Sequence, residues 1–473
     1  MRRIPSGGSR GSGGFEQIVD AFLLQPGLPF AEVLSADCIQ RIFARHGNLF
    51  GAERIYSTAL MVWAFLGQVL RDGKEASCQS AVARIVVHQH QLGRAVPTHD
   101  TGDYCRARAK LSEHAVYDLA TEVAAEAEQR VDPAWLWKNR HVKLGDGFTF
   151  TMPDTPANQA AYPQSRTQKA GVGQPIARAC AIVSLATGCV LAAAVGPYKG
   201  KETGETALLR ELLASFSAGD VALFDRHYCS FLMMALLLSR GVHVCTRMHQ
   251  CRHVDFRRGQ RLGHDDHLIV WTKPARPEWM DEATYNTMPD QLELRELRYE
   301  VHQPGFRVSR IIIATTLTDA ALHTAEDIAE LYGKRWHIEL DIRALKQTLN
   351  AEHLRCKSPQ MVRCELWTKM LAYNLIRTTV AAAAVLHRLE PRQISFTSAC
   401  QYVLSSWSLL SSCRLSGEAA LAHALVLLGQ IADCRVGHRG GRCEPRVLKR
   451  RRHHYQLMKK PRDVLRAELL RGK

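Results

Sequence analysis

Hydrophobic positions follow a helical period through the first part of the chain and change to a strand-like pattern after His141. Between residues 15 and 137, apolar side chains recur every three or four positions, as in Ile55–Leu70. That spacing predicts an all-α N-terminal domain over residues 15–137. Residues 1–14 consist mainly of Gly, Ser and Arg, a composition that predicts disorder.

Short runs of β-branched and small apolar residues, bounded by Gly and Pro, predict strands in the next part of the chain. The first three predicted strands are Val142–Thr151, Ala177–Leu185 and Val190–Val195. Helix and strand then alternate, over Glu205–Ser215, Val221–Phe224, Ser230–Ser239 and Val242–Thr246. Because this order is typical of a mixed sheet flanked by helices, residues 138–247 are predicted to form the first part of an α/β core.

A broken β pattern occupies residues 248–318 and predicts a β-rich insertion. Its predicted strands are Leu268–Trp271, Leu292–Val301 and Val308–Thr316. Helical periodicity returns at Thr324, which can cap a helix with Asp327 as its capping-box partner. Residues 319–432 are therefore predicted to complete the core and to add C-terminal helices, and residues 433–473 to form an extended basic tail.

The charge balance points to a polyanionic partner, since 62 Lys and Arg outnumber 46 Asp and Glu and leave a net charge of +16. Residues 435–473 contain 14 basic and 3 acidic residues and so carry +11 of that charge. A solvated tail without a specific partner is the alternative.

Other basic residues are also candidates for DNA contacts. Arg106 and Lys110, one helical turn apart on a predicted helix, either contact DNA phosphates or face solvent. The tail residues expected to contact DNA are Lys449, Arg450, Arg451 and Arg452.

Several other classes are disfavoured by composition. The 14 cysteines form no CxxC pair and the first residues are polar, so reduced thiols in a cytoplasmic protein are expected. No apolar stretch approaches the ~20 residues that span a bilayer, which excludes a membrane partner. Alternating His and Cys between His243 and His253 fit no zinc-finger spacing, which favours a buried thiol with surface histidines.

Three carboxylates stand where open α/β sheets assemble their sites. Asp146 is predicted at the end of the first strand, Asp225 follows the strand Val221–Phe224, and Glu339 lies on a helix. For the two aspartates to meet, their strands must be neighbours. Asp154 and Glu205 are spare carboxylates nearby, and Asp154 is assigned a structural role in its Pro-rich turn.

The helix that carries Glu339 has two distinct faces if it is regular. At 100° per residue its four polar positions project from one sector of about 60°, beside a separate apolar stripe that is expected to pack on the sheet. The polar positions are Tyr332, Arg335, Glu339 and Lys346, and the apolar ones are Ile338, Ile342, Leu345 and Leu349. An i, i+4 ion pair between Arg335 and Glu339 on an exposed helix face is the alternative.

Three carboxylates beside basic side chains suit phosphoryl transfer at DNA. Hard divalent ions such as Mg²⁺ or Mn²⁺ take oxygen ligands, and two such ions stabilise the attacking and leaving oxygens together. Arg335 and Lys346 would hold the phosphates that the acidic centre repels.

The spacing Tyr332-x2-Arg335-x3-Glu339-x6-Lys346 resembles the Y(2)R(3)E(6)K signature of the insertion-sequence-four family of bacterial DDE transposases. Its surroundings are also similar to that family, in four segments that extend the resemblance over most of the chain. These are Asp146-Gly with Met152–Gln164, Gly200–Leu209, Asp225-Arg-x-Tyr228 and Glu444-Pro-Arg-Val.

This resemblance implies a ribonuclease-H-like core with a β insertion and a helical N-terminal domain that binds DNA ends. It also implies two ions per site, with Asp146 shared between them and Asp225 and Glu339 each completing one. Tyr332, Arg335 and Lys346 would bind DNA phosphate. The family nicks double-stranded DNA at the terminal inverted repeats and joins the freed 3′-hydroxyl to target DNA, as a dimer on paired ends. The alternatives are a two-metal nuclease on the same fold and a catalytically silent DNA-binding descendant.

Overall fold

The computed structural model describes residues 34–51, 54–300, 310–410, 417–437 and 458–471 of the 473-residue chain, apart from residues 35 and 92. The N-terminal segment predicted to be disordered lies outside these residues, as do Lys449, Arg450, Arg451 and Arg452. The chain divides into two compact units. The first contains residues up to 132, 186–190 and 343–436, and the second contains residues 133–185, 191–342 and 437 onward.

Helices alternate with polar capping residues through the first unit. Those before the sheet are α1 (Ala36–Arg45), α2 (Thr58–Val69), α3 (Cys78–Gln91), α4 (Thr101–Arg108) and α5 (Glu113–Gln129). Ser57, Asp100 and Ser112 cap α2, α4 and α5 by accepting a hydrogen bond from a backbone N–H of the first turn. The described part of the chain contains no strand before residue 142.

One mixed sheet runs through the second unit, in the order β3-β2-β1-β4-β5-β9-β8-β7-β6. The strands are β1 (Val142–Thr151), β2 (Ile176–Ser184), β3 (Val190–Pro197), β4 (Val221–Phe224), β5 (His243–Arg247), β6 (Gln260–Gly263), β7 (Asp266–Thr272), β8 (Gln291–Glu300) and β9 (Arg310–Thr315). Strand β1 pairs antiparallel with β2 and parallel with β4, and β4 pairs parallel with β5. The remaining pairs, from β5 through β9 to β6, are antiparallel.

The remaining helices lie between and after the strands. Four are placed before the last strand: α6 (Pro156–Ala161), α7 (Glu205–Glu211), α8 (Phe231–Leu238) and α9 (Glu282–Thr287). Six follow it: α10 (Ala325–Gly333), α11 (Trp336–Arg343), α12 (Pro359–Leu386), α13 (Phe396–Leu410), α14 (Gly417–Asp433) and α15 (Arg462–Arg471). The tail was predicted to be extended, so α15 corrects that prediction for its last residues.

The strand predictions are confirmed, and two of them match the observed bounds at both ends, β1 and β4. A mixed α/β architecture is therefore confirmed as well. The β-rich segment does not form a separate sheet, since β6 to β8 extend the core sheet through β9. Three short elements were not predicted, namely β6, α6 and α9. Each has six residues or fewer, too short for a periodic pattern to identify.

A long buried helix, α12, organises the first unit by packing against α2, α5 and α14. Asn374 is completely buried on it and satisfies backbone groups of two other segments. Its side chain accepts from Val190 N at 2.8 Å and donates to Ala120 O at 2.9 Å and Val190 O at 3.0 Å.

Among the described residues no helix combines the length and the apolar character needed to cross a membrane.

A buried ion pair ties β7 to β8. Arg295 is 1% exposed and contacts Asp266 through two hydrogen bonds, Nε to Oδ1 at 2.8 Å and Nη2 to Oδ2 at 2.5 Å. Its remaining amino group donates to the carbonyl of His323. Directly across the two strands, buried His267 contacts Glu296, with Nε2 and Oε2 3.1 Å apart. Because every charge in this cluster has a partner, the sheet can contain it without an unpaired buried ion.

Close packing between β1 and β4 requires a glycine at position 145. Gly145 lies opposite Phe224, whose ring is completely buried. An added Cβ would overlap that ring, with Cδ1 only 2.8 Å away.

We expect Gly145→Ala to lower the free energy of unfolding by about 1–3 kcal/mol, measured by urea denaturation. Gly429→Ala, on α14 with its nearest neighbour 3.8 Å from the new Cβ, is the control and should not destabilise. Equal stabilities for the two variants would contradict the packing argument.

Candidate active site

The two predicted aspartates lie at the same level of adjacent strands. Gly145 and Phe224 are the last paired positions of β1 and β4, so Asp146 and Asp225 come next on each side. Neighbouring strands are about 4.8 Å apart, which sets the scale of the separation between these backbones. The predicted neighbour relation between the two strands is confirmed. Asp146 does not end its strand, however, because β1 continues its pairing with β2 to Thr151 after β4 has stopped.

Asp225 is fixed by the turn that follows β4. Its Oδ1 accepts a hydrogen bond from His227 N at 2.8 Å and so caps the short 3₁₀ turn Arg226–Tyr228. The hydroxyl of Thr246, on β5, donates to the carbonyl of Asp225 at 2.7 Å. The backbone at Asp225 is therefore held from two sides, and its carboxylate keeps one oxygen that no backbone bond uses in this turn.

Asp146 is a largely buried carboxyl group in an acidic neighbourhood. Burial raises its pKa to about 6, opposed by the hydrogen bond that Oδ1 accepts from Gly147 N at 2.8 Å. The charges of Asp225 and Glu205 raise the pKa further, and the guanidinium of Arg335 lowers it. The side chains of Asp225, Glu205 and Arg335 are thus within electrostatic range of Asp146.

Glu205 was treated as a spare carboxylate, and the structure brings it against the strand that carries Asp146. A Cβ added at Gly147 would lie 2.5 Å from Glu205 Cδ, so the glycine makes room for this side chain. Arg178, on β2, faces it with Nε 3.8 Å from Oε1. The contact between Gly147 and Glu205, which begins α7, was not predicted from the sequence. The two residues are 58 positions apart in the sequence, and no local pattern connects them.

The segment that carries Glu339 is not one regular helix. Thr324 and Asp327 form the predicted capping box, but α10 ends at Gly333 and α11 begins at Trp336. A π-helical turn, Ala344–Thr348, then follows α11. The single 60° sector predicted for the four polar positions is therefore wrong. Tyr332 lies in α10, Arg335 in the break, Glu339 in α11 and Lys346 in the π turn.

The apolar stripe of this segment is buried as predicted, with Ile338, Ile342, Leu345 and Leu349 all no more than 9% exposed. The π turn that contains Leu345 contacts α12 and α13 of the first unit, so its part of the stripe packs against helices rather than on the sheet.

The break in the helix leaves Arg335 and Glu339 paired. Arg335 Nη2 donates to Glu339 Oε1 at 2.6 Å, with the two side chains 18% and 32% exposed. This is the i, i+4 pair considered from the sequence, although on a partly buried surface and not on an exposed face. Tyr332 is 6% exposed; burial raises its pKa, Arg335 opposes the shift, and Asp225 adds to it. Arg335 and Tyr332 therefore link Glu339 electrostatically to the two aspartates.

Asp146, Asp225 and Glu339 are not arranged as a preformed metal-binding site. In the described part of the chain, no group of three or more His, Cys, Asp or Glu has a metal-binding arrangement. Glu339 contacts Arg335 through Oε1. The three residues offer hard oxygen ligands, and the repulsion between carboxylates at Asp146 is what a divalent cation would relieve. The chemistry of these residues therefore fits a hard cation.

Other residues singled out in the sequence have local partners. Arg106 pairs with Asp103 at 2.6 Å and is 72% exposed. Lys110 lies beyond the end of α4, with its amino group 5.8 Å from the centre of the Phe50 ring, so it does not share a helix with Arg106 as predicted. Lys346 belongs to the first unit and pairs with Glu352 at 3.3 Å.

Comparison with known proteins identifies relatives over nearly the whole chain. Residues 138–375 match the family described as Transposase DDE domain. The chain is similar to the Escherichia coli (strain K12) protein "Transposase InsG for insertion sequence element IS4", with 27% identity over 92% of this chain and 94% of that protein. A shorter likeness, 33% identity over 14% of this chain and 18% of the relative, links it to the Escherichia coli "Transposase for insertion sequence element IS421". Among solved structures, a piggyBac transposase synaptic complex with hairpin DNA has a TM-score of 0.42 at 10% identity, over 89% of this chain and 87% of that one.

Proposed function

Because the chain belongs to the insertion-sequence-four family of DDE transposases, we propose that Asp146, Asp225 and Glu339 are its three catalytic carboxylates. The enzyme is a DNA transposase. The observation that carries the residue assignment is the parallel register of β1 and β4, which leaves Asp146 and Asp225 at one level of the sheet. The electrostatic coupling of Asp146 to Arg335, the partner of Glu339, supports the third member.

The catalytic core is ribonuclease-H-like in this proposal. Support comes from the order β3-β2-β1-β4-β5, with β2 antiparallel to β1 and with β1, β4 and β5 mutually parallel. Strand β9 and the segment from β6 to β8 form the proposed β insertion between the second aspartate and the glutamate. The described residues before β1 form the proposed helical domain that binds the DNA ends.

Divalent metal dependence is general in this family, and we assign two Mg²⁺ or Mn²⁺ ions to this site. Asp146 would contact both ions, and Asp225 and Glu339 one each. Bound there, the ions would supply Lewis-acid stabilisation of the attacking and leaving oxygens. Oε1 of Glu339 accepts from Arg335, so its other carboxylate oxygen would be the one that contacts an ion. Arg335 would bind a DNA phosphate beside it, because a guanidinium presents several N–H donors in a planar arrangement.

The enzyme binds DNA, and the finer assignment of partners is part of the proposal. Tyr332, Arg335 and Lys346 would contact the phosphates of the element end, with Arg106 and Lys110 as additional contacts. The substrates are the terminal inverted repeats and the target duplex, and a dimer would hold two ends together. Action on chromosomal DNA fits a cytoplasmic, nucleoid-associated protein.

A cleavage and joining assay tests this function. Full-length protein is incubated with duplex DNA containing the element ends, target plasmid and Mg²⁺, and the products are sequenced. We expect a nick that exposes a 3′-hydroxyl at each end, followed by a phosphodiester bond between that hydroxyl and the target. Nicking without any joined product would favour the two-metal nuclease, and end binding without either reaction would favour the silent DNA-binding descendant.

The basic tail gives a separate prediction about DNA affinity. Changing Lys449, Arg450, Arg451 and Arg452 together to Ala removes four positive charges. The slope of log K against log salt should become shallower by up to about 3.6, since each of four phosphate contacts contributes about 0.9. Fluorescence anisotropy at several salt concentrations measures this slope. An unchanged slope would remove these four residues from the DNA contacts.

A further inference from the structure

A cavity of about 170 Å³ lies in the first compact unit, and its lining includes none of the three proposed catalytic carboxylates. It is lined by α2, α3, α4 and α12, by the loop between α2 and α3, and by the loop before α12. The charged residues of its wall are Arg71, Arg108, Arg355, Glu365 and Lys369. This volume accommodates a small polar ligand together with water.

Four cationic side chains and a single carboxylate face this cavity, which makes its wall strongly positive. Lys369 is 4% exposed, and its amino group donates to Leu349 O at 2.6 Å. Arg71 donates to Gly67 O at 2.6 Å. Arg355 forms the more open side of the wall, where it pairs with Asp72 at 3.2 Å and is 45% exposed. The wall therefore combines a buried cation with one that solvent can reach.

Arg108 is held in place and keeps a free donor. Its guanidinium lies 4.9 Å from the centre of the Phe65 ring, and Nη1 donates to Gln68 Oε1 at 2.9 Å. Nε is buried and has no hydrogen-bond partner among the described residues. A buried donor left without an acceptor costs about 1–3 kcal/mol, so an acceptor entering the cavity would recover that energy.

The one carboxylate of the wall is already committed to backbone groups. Glu365 is 3% exposed, and its Oε2 accepts from Arg355 N at 2.8 Å and Cys356 N at 2.9 Å. Ser77 and Cys78, at the N-terminus of α3, also line the cavity. Helix N-termini favour anions because their first N–H groups have no partner within the helix.

Burial and neighbouring positive charges lower the pKa values of cationic side chains in and beside the cavity wall. Burial lowers the pKa of Lys369, and the neighbouring Arg355 lowers it further while Glu365 raises it. Burial lowers the pKa of Arg84, which lies beside Arg71, to about 10, and Arg71 contributes to the shift. An anion inside the cavity would relieve this repulsion.

We propose that this cavity binds one phosphate-class oxyanion, held by Arg71, Arg108, Arg355 and Lys369. A tetrahedral oxyanion has acceptor oxygens on all sides, which suits donors that converge from several helices. Two sources share this chemistry, a free phosphate ion and a phosphate group of the DNA backbone. Binding here is independent of the carboxylates proposed for catalysis, so it is measured without DNA cleavage.

Calorimetric titration of the full-length protein with inorganic phosphate, at constant ionic strength, tests the site. We expect saturable binding of one ion per chain. Arg355→Gln should weaken it by tenfold or more, and this partly exposed position is unlike buried Lys369 in that its substitution leaves the core intact. Arg130→Gln is the matched control, because Arg130 follows the last residue of α5, is 61% exposed, pairs with Glu126 at 2.6 Å and does not line the cavity. Saturating phosphate should also slow the alkylation of Cys78, mapped by mass spectrometry.

Absence of saturable binding, or equal phosphate affinity in Arg355→Gln and Arg130→Gln, would overturn the proposal. A second set of titrations with duplex DNA separates the two sources. If phosphate competes with DNA and Arg355→Gln weakens DNA binding, the oxyanion is a backbone phosphate. If phosphate binds while DNA affinity is the same in both variants, the ligand is a free ion.

Discussion

Replacing Asp146 by Asn should reduce Mg²⁺-dependent strand cleavage by at least about 1000-fold while leaving the binding of end DNA nearly unchanged. The neutral amide keeps the shape of the side chain and removes the charge that two cations require. Loss of one electrostatic group from an active site costs about 100- to 1000-fold in rate, and a carboxylate shared by two ions is expected at or beyond the upper end of that range. Cleavage of labelled end DNA and anisotropy with the same duplex measure the two quantities.

The same substitution should not weaken the fold. Burial raises the pKa of Asp146 to about 6 from an ordinary value of 3.8. The native state therefore holds its proton more tightly than the unfolded chain, and stability falls as pH rises from about 4 to about 6. At pH 7.5 the full cost of the ionised group is present, on the order of 1–3 kcal/mol. Asp146→Asn removes that cost, so unfolding in metal-free buffer should require more urea.

Asp154→Asn is the matched control for both measurements. Asp154 is exposed and accepts a hydrogen bond from Gln159 Nε2 at 2.8 Å. Its substitution should change neither cleavage nor stability by more than about twofold or about 0.5 kcal/mol. Retained cleavage in Asp146→Asn, or an equal loss in Asp154→Asn, would contradict the assignment of Asp146.

The second large effect is expected on stability, at the ion pair between β7 and β8. Arg295→Ala leaves the buried carboxylate of Asp266 without its partner and the carbonyl of His323 without its donor. Removing one member of a buried pair costs about 3–5 kcal/mol, because the other charge stays desolvated. Urea unfolding followed by tryptophan fluorescence should show this loss.

Arg310→Ala is the control on the same sheet. Arg310 pairs with Glu300 across β8 and β9 at 2.9 Å, but the two side chains are 68% and 49% exposed. An exposed pair of this kind contributes less than about 1 kcal/mol. The double substitution Arg295→Met with Asp266→Leu should recover most of the stability, since no buried charge then remains unpaired. Similar losses for Arg295→Ala and Arg310→Ala would show that burial does not govern these pairs.

The sheet was largely predictable because its signal is local. Strand β4 consists of four apolar residues between Asp220 and Asp225, and β1 is rich in β-branched and aromatic residues before Pro153, so local sequence was enough to place both strands. The family motif added the order of the three carboxylates and thereby the candidate site. Adjacency of β1 and β4 followed from requiring the two aspartates to meet, and the structure confirms it.

The helix of Glu339 shows where sequence reasoning fails. A wheel at 100° per residue assumes an unbroken α-helix, and the break at Gly333 and the π turn after Arg343 change the angles between the four polar positions. Glu205 was missed for a different reason. Its place beside Gly147 depends on how α7 packs against β1, and tertiary packing of this kind leaves no periodic trace in the chain.

The attachment of the β-rich segment has a consequence for chain length. Strands β5 and β9 pair antiparallel, and Met248 N donates to Ile312 O at 2.8 Å, so the segment leaves and returns at neighbouring points of the sheet. Residues can be gained or lost between those points without moving β1 or β4. A change in the length of this segment is therefore compatible with an unchanged arrangement of Asp146 and Asp225 on β1 and β4.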